Sequence, residues 1–286
     1  MPGILYVVAT PIGNLSDMTP RAVQVLSEAD MIAAEDTRHS RVLLNHFGIS
    51  TPTFSCHKFN EEKRGDFFVN ALLEGKNIAL ISDAGTPCIS DPGHRLVGMA
   101  MAANVTVVAV CGANAAAAAL SVCGLDVSRF VFLGFLPRDK RGQLEIFDMI
   151  SGCPAVFYES PLRISKTLDL LQEKYPSAEI CLCNDLTKKF ERIYRGTPES
   201  VLAELSENPS AKKGEYTCVI SLPKKIDVIL ETELSIEARL VDIMIKEDCN
   251  IKDAAALLHE AQQKKISKKA IYAANLQLKE LLSYEP

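Results

Sequence analysis

SDAGTPCISDPG, residues Ser82 to Gly93, is the stretch from which the fold can be worked out. Just upstream, Asn77-Ile78-Ala79-Leu80-Ile81 is a short apolar run of the kind that fills a buried parallel strand. Two glycines, two prolines and several polar residues then arrive together. A buried strand that ends in a loop so demanding of special conformations calls for a reason beyond chain reversal. In open α/β sheets that reason is a ligand, because the site lies outside the carboxyl ends of the strands.

Outward from this stretch, β-branched runs alternate with helical patterns from Gly3 to about Val122. Strands are expected near Ile4-Ala9, Met31-Ala34, Thr53-Cys56, Asn77-Ile81 and Val105-Val110, the signature of a parallel α/β sheet. Thr19-Pro20 and Asp91-Pro92 each place a cap residue before a proline at the first helical position. Ala22, Val25, Leu26 and Ala29 form one apolar helix face, and Gly48 and Gly75 sit where C-terminal caps belong. A second run begins at Phe130-Leu133 and continues through Ala155-Tyr158, Ile180-Leu182 and Tyr216-Leu222. Pro223-Lys224-Lys225 reads as a boundary, followed by helices at about Ile236 to Lys246, Lys252 to Gln263 and Lys268 to Leu282. The expected fold class is α/β, with an N-terminal α/β domain (1–122), a second α/β domain (123–225) and a small C-terminal helical module (226–286).

The 286 residues, 48% of them hydrophobic, suffice for a sizeable core and for two domains with an appendage. No apolar stretch approaches bilayer-spanning length, and Met1-Pro2-Gly3-Ile4-Leu5-Tyr6 lacks the charged region and cleavage site of a signal peptide. A cytoplasmic location away from membranes is therefore expected. The nine cysteines include no CxxC pair, the nearest two being Cys181 and Cys183, so reduced thiols are expected rather than disulfides or zinc ligands. A formal charge of −5 argues against indiscriminate coating of nucleic acid, so any RNA role must rest on clustered charge.

Four polar, glycine-bearing loops gather at the carboxyl ends of the first set of strands: Thr10-Leu15, Glu35-Arg38, Ser82-Pro87 and Cys111-Asn114. Glycines permit close approach of backbone to ligand, and paired carboxylates can hold hydroxyls, a cation or a proton in transfer. There is no GxGxxG and no GxxxxGK[ST], which excludes the dinucleotide fingerprint and the phosphate loop. His39, His46, His57, His94 and His259 form no HExxH or zinc-like pair, so a metal-free or weakly metal-dependent site is expected. From the residues alone, the ligand is one held in a cleft by something other than a polyphosphate cradle.

Leu5-Leu15, Ala33-Arg38, Ser82-Pro87 with Asp91-Pro92-Gly93, Gly134-Phe135-Leu136-Pro137, Phe157-Tyr158-Glu159-Ser160 and Asp185-Leu186-Thr187-Lys188 together resemble the ribosomal RNA small subunit methyltransferase I family over nearly the whole chain. The resemblance implies the tetrapyrrole-methylase fold, with S-adenosylmethionine in a cleft between two α/β domains, and a homodimer. It implies 2′-O-methylation of a cytidine in the decoding region, on small-subunit ribosomal RNA or the assembled small subunit. Carried over residue by residue, the cofactor is expected at Pro11, Asp83, Ala84, Gly85, Thr86, Pro87, Gly112, Ala115, Tyr158, Leu186 and Gly214. Cys111-Gly112-Ala113-Asn114-Ala115 departs from the family's proline-glycine-proline type of turn, and Asn184-Asp185 stands where relatives usually carry arginine and glutamate.

A ribose hydroxyl is a weak nucleophile until its proton is accepted, so the site needs alignment and a base. Asp36, Glu35 and Glu159 are the candidates. Asp36 is preferred because Glu35, after the apolar Ala33-Ala34, could support the loop from beneath. Arg38, Arg138, Lys140, Arg141 and Lys188, with Lys264, Lys265, Lys268 and Lys269 on the terminal module, are the expected phosphate contacts. Two other functions compete: methylation of a tetrapyrrole or other small molecule, and a non-catalytic cofactor- or RNA-binding assembly factor.

Overall fold

The computed structural model describes residues 1–58, 60–223, 235–261 and 267–282. The chain divides into two compact units, Met1–Lys224 and Lys225–Pro286. The first unit contains both expected sheets.

The first sheet is built from β1 (Ile4–Val8), α1 (Pro20–Glu28), β2 (Met31–Ala34), α2 (Thr37–His46), β3 (Thr53–Ser55), α3 (Glu61–Leu73), β4 (Ile78–Ile81), α4 (His94–Ala102), β5 (Thr106–Val110) and α5 (Ala115–Val122). Its five strands are parallel in the order β3-β2-β4-β1-β5, which places β4 and β1 side by side at the centre. Every residue of β4 is buried, as the uninterrupted apolar run demands of a strand covered on both faces. Helix α1 starts as its punctuation requires, with the Thr19 side chain accepting from Ala22 N–H and Pro20 at the first position.

The Asp91-Pro92 start is corrected. Helix α4 begins at His94 with Gly93 as its cap residue and no cap from its own side chain. Glu61, buried and distant in sequence, supplies the cap instead: its Oε1 accepts from the N–H groups of Gly93 (3.1 Å), Arg95 (2.8 Å) and Leu96 (3.1 Å). An anion is well placed there, where the unpaired N–H groups of a helix converge. Gly93 has φ +126, and a Cβ on it would stand 2.8 Å from both Cys88 Sγ and Leu80 Cδ2, so the loop reaches the helix only through glycine.

The second sheet follows from β6 (Val131–Phe135), α6 (Lys140–Met149), β7 (Ala155–Glu159), α7 (Ile164–Lys174), β8 (Glu179–Asn184), β9 (Arg192–Gly196), α8 (Pro198–Ser206) and β10 (Tyr216–Ser221). Its order is β6-β7-β10-β8-β9, with β6 and β7 parallel and the remaining pairs antiparallel. Edge strand β9 is an addition to the sequence reading. Helix α5, assigned by that reading to the first domain, packs Ala116, Ala119 and Leu120 against Val156, Cys181, Cys183 and Val219 of the second sheet.

The second unit holds α9 (Ile236–Lys246), α10 (Ile251–Ala261) and α11 (Lys268–Leu282), closed around Leu240, Ala254, Leu258, Ile271, Ala274 and Leu278. No helix among the described residues is long and apolar enough to cross a membrane.

Candidate active site

The loops leaving β1 and β4 are tied together at their first residues. Thr10 N–H donates to Gly85 O at 2.9 Å and Gly85 N–H donates to Thr10 O at 3.0 Å, an antiparallel bridge at the carboxyl edge of a parallel sheet. Thr86 Oγ1 donates to Ala113 O at 3.1 Å, joining the loop after β5 to the same knot. Gly85 has φ +78, and a Cβ on it would stand 3.3 Å from Ile12 Cγ2. A left-handed backbone pressed against a neighbouring loop is a place for glycine alone. The conformational demands of Ser82 to Gly93 thus build one wall of a cleft of about 350 Å³.

The acids at this edge have different duties. Asp36 N–H donates to Asp83 Oδ1 at 3.1 Å, and Asp83 N–H donates to Glu35 Oε2 at 3.4 Å, so the ends of β2 and β4 interlock. Glu35 and Asp83 line the cleft together with Asp91. Burial raises the pKa of Glu35; the Asp83 N–H opposes this, and the charges of Asp83 and Asp91 add to the rise. Burial likewise raises Asp91. Asp36 lies outside the lining and caps α2: Oδ1 accepts from Arg38 N–H at 2.8 Å, and Oδ2 pairs with the Arg38 guanidinium at 3.3 Å. The Arg38 N–H holds the Asp36 carboxyl below the ordinary range. Glu159 lines the cleft with its carboxylate fully engaged, accepting from Ser160 N–H (2.7 Å) and the Thr167 hydroxyl (3.1 Å) and pairing with Arg163 (3.0 Å).

Of the residues expected to hold a cofactor, Asp83, Ala84, Gly85, Thr86, Ala115, Tyr158, Leu186 and Gly214 line this cleft, and Pro11, Pro87 and Gly112 stand outside the lining. Gly112 has a packing reason of its own, since a Cβ there would stand 3.0 Å from Ala9 Cβ. Ile12, Ile89, Phe135 and Thr217 line the cleft and were not singled out in the sequence. Phe135 lay in plain sight in Gly134-Phe135-Leu136-Pro137; Thr217 sits inside a strand and carried no signal. Asn114, one of the departures, caps α5 by accepting from Ala117 N–H at 3.0 Å and also lines the cleft. Asn184 is buried and donates to Glu215 O at 3.3 Å.

The expected basic residues differ in how far they are already paired. Arg38 and Arg138 are exposed, and Lys140 and Arg141 are exposed but paired with Glu173 (2.7 Å) and Glu145 (2.8 Å). Lys188 pairs with Asp185 (3.0 Å) and Glu215 (2.7 Å). Lys264 and Lys265 lie outside the described residues; Lys268 opens α11, and Lys269 is exposed.

Charge decides what the cleft can hold. Its ionisable lining residues are Glu35, Asp83, Asp91, Glu159, Glu215 and the two tyrosines, with no lysine, arginine or histidine. Arg163 and Lys188 offset Glu159 and Glu215, and the remaining carboxylates, Glu35, Asp83 and Asp91, favour a cation over a polyphosphate. Apolar contacts from Ile12, Ile89 and Leu186 and the surrounding carboxylates fit a ligand with an uncharged nucleoside and a positive centre, as in S-adenosylmethionine. The volume lies at the lower end of the ~300–1,000 Å³ usual for such sites.

The protein-family model described as Tetrapyrrole (Corrin/Porphyrin) Methylases matches residues 4–202. Among solved structures, uroporphyrin-III C-methyltransferase from Thermus thermophilus complexed with S-adenyl homocysteine aligns with TM-score 0.53 and 18% identity, covering 77% of this chain and 97% of that one. Diphthine synthase aligns with TM-score 0.58 and 12% identity, over 76% and 89% of the two chains. These likenesses establish the fold. Sequence carries further: ribosomal RNA small subunit methyltransferase I of Haemophilus influenzae is 41% identical over 96% of each chain. The protein of that name from Vibrio cholerae is 42% identical over 96% of this chain and 94% of its own. With a cation-favouring cleft on a tetrapyrrole-methylase fold and this identity over nearly its full length, the chain belongs to the ribosomal RNA small subunit methyltransferase I family.

Proposed function

We propose that this chain methylates the 2′-hydroxyl of a cytidine in the decoding region of small-subunit ribosomal RNA, using S-adenosylmethionine. The observation that carries the proposal is the acid-lined cleft, which suits a cationic cofactor, on a chain whose relatives bear the rRNA methyltransferase name. S-adenosylmethionine supplies an electrophilic methyl group on a sulfonium centre. Asp83, Gly85, Thr86, Ala115, Leu186 and Gly214 hold it, and the Thr10–Gly85 bridge and the Thr86–Ala113 bond keep that wall in place beforehand.

Glu35 is the base. It lines the cleft, one oxygen already accepts from Asp83 N–H, and Oε1 is left for the ribose hydroxyl. Its raised pKa makes it a stronger proton acceptor than an exposed carboxylate. Asp36, favoured from sequence, is committed to capping α2, and Glu159 to three partners of its own.

Arg38 and Arg138 contact RNA phosphates at the surface. Lys140 and Arg141 join them by exchanging exposed carboxylate partners, since such pairs contribute little. The apolar groove of Ile89, Ala117, Leu120, Val127, Phe130 and Phe132 is the face for a second copy of the chain, which sedimentation equilibrium checks directly. An rRNA substrate places the reaction in the cytoplasm. Transfer of labelled methyl to intact small subunits, to deproteinised rRNA and to a tetrapyrrole tests the assignment: label in a ribosomal substrate supports it, and label only in the tetrapyrrole refutes it.

A further inference from the structure

We propose that Lys188 is a positioning residue, a strap that crosses from the second sheet to the loop after β1 and sets the wall of the cleft at Leu186 and Gly214. The proposal rests on the reading of that cleft as the cofactor site. It assigns Lys188 to cofactor binding instead of RNA contact.

The strap is continuous. The aliphatic stem of Lys188 lies against Gly13, where a Cβ would overlap Lys188 Cγ and stand 2.9 Å from Cε. At its far end the ammonium group pairs with Asp185 Oδ1 at 3.0 Å and Glu215 Oε2 at 2.7 Å. Asp185 Oδ1 also accepts from Glu215 N–H at 3.2 Å, and the Asp185 carboxylate occupies the space a Cβ on Gly214 would need. The lysine therefore packs on the backbone at Gly13 and pairs with the side chains of Asp185 and Glu215, reinforcing the backbone bond from Asp185 N–H to Glu215 O at 3.0 Å. Two chain neighbours of the paired residues, Leu186 and Gly214, line the cleft.

The turn it holds is closed by its own backbone, Lys188 N–H donating to Asp185 O at 3.0 Å and Thr187 N–H to Glu191 Oε2 at 2.6 Å, yet it carries strain. Asp185 has φ +53 and Thr187 φ +66, and a β-branched residue in the left-handed region is an outlier that surrounding structure must impose. Thr187 Oγ1 is buried without a hydrogen-bond partner, so the threonine side chain supplies no compensation. Leu186 is delivered to the cleft between these two strained residues. Lys188 is no free cation for RNA, since only about a third of its side chain is exposed and both pairs occupy it.

The test uses the full chain with Lys188→Ala, Gly13→Ala, the double variant and Lys188→Arg, which keeps a stem and donors. Calorimetry with S-adenosylmethionine is expected to show about a tenfold weaker Kd in Lys188→Ala, a size usual for residues sharing one ion-pair network. Gly13→Ala displaces the same stem, so the losses in the double variant fall short of additive, and Lys188→Arg recovers most of the affinity. KM for small subunits and its salt dependence stay as in wild type. Amide exchange at Leu186 and Glu215 speeds up in Lys188→Ala without any ligand, which reads the strap independently of what the cleft binds. Additive losses, unchanged exchange, or an unchanged cofactor Kd with a raised subunit KM would each overturn the proposal. Failure of wild type to bind the cofactor would strike the functional reading instead, leaving the exchange result to judge the strap.

Discussion

Replacing Gly85 separates what the backbone requires from what the ligand requires. Alanine at φ +78 forces a left-handed conformation that costs an L-residue about 1–2 kcal/mol. Its Cβ also meets Ile12 Cγ2 at 3.3 Å, close enough that Ile12 must give way. In a unit of this size each kcal/mol shifts Tm by about 2–4 °C, so Gly85→Ala should melt roughly 2–8 °C lower. Valine adds two methyl groups to a wall of the cleft. Overpacking of that kind costs about 1–3 kcal/mol against a bound ligand, which is about 5- to 150-fold in Kd. Thermal unfolding followed by circular dichroism measures the first quantity, and calorimetric titration with S-adenosylmethionine the second. Alanine should lose mainly stability, whereas valine should lose both. A folded Gly85→Val protein with lowered Tm and wild-type cofactor affinity would remove this loop from the site.

Glu35→Gln should lower single-turnover methylation by about two to four orders of magnitude with cofactor affinity nearly intact. Because the folded-state pKa of Glu35 is raised, its contribution to stability is present below the ordinary carboxylate value and is lost as pH rises through the raised one. Glu35→Gln should thus melt higher than wild type at neutral pH, with the gap closing on acidification; a gap of constant size contradicts the burial argument. The wild-type rate should fall on acidification through that raised pKa, as the base takes up its proton. Asp36→Asn retains a good cap residue and should react at close to the wild-type rate, and a loss like that of Glu35→Gln would restore Asp36 as the base. Glu61→Gln weakens three charge-assisted bonds at the start of α4 and should cost about 1–3 kcal/mol, read as a lower Tm; an unchanged Tm would show that those bonds contribute nothing.

Local chemistry was legible wherever one segment carried its own signal. Thr19-Pro20 marked α1, the apolar run marked β4, and helical periodicity placed α9 and α11 at their observed bounds. The loops at the carboxyl ends of the strands pointed to the cleft because sheet geometry gathers them there. What stayed hidden depended on distant partners. Asp91-Pro92 has the form of a helix start, but Glu61 caps the helix from another element, and Asp91 is free to line the cleft. Strand β9 is a polar edge with Arg192, Arg195 and Gly196 exposed, so it lacks the apolar alternation by which strands are recognised. Choosing between Glu35 and Asp36 required knowing that the chain turns into α2 directly after β2, which makes Asp36 the cap and leaves Glu35 at the cleft. Lys188 offered a positive charge to the reader of the sequence, and only the fold reveals the two carboxylates that occupy it.

The most direct test of the central claim is the identity of the methylated nucleoside. Small subunits lacking the modification are incubated with the protein and labelled S-adenosylmethionine, and the rRNA is digested to nucleosides and resolved. The account predicts label in 2′-O-methylcytidine with wild type and its near absence with Glu35→Gln. Label on a base carbon or nitrogen, or no label in rRNA from a protein that binds the cofactor, would contradict it.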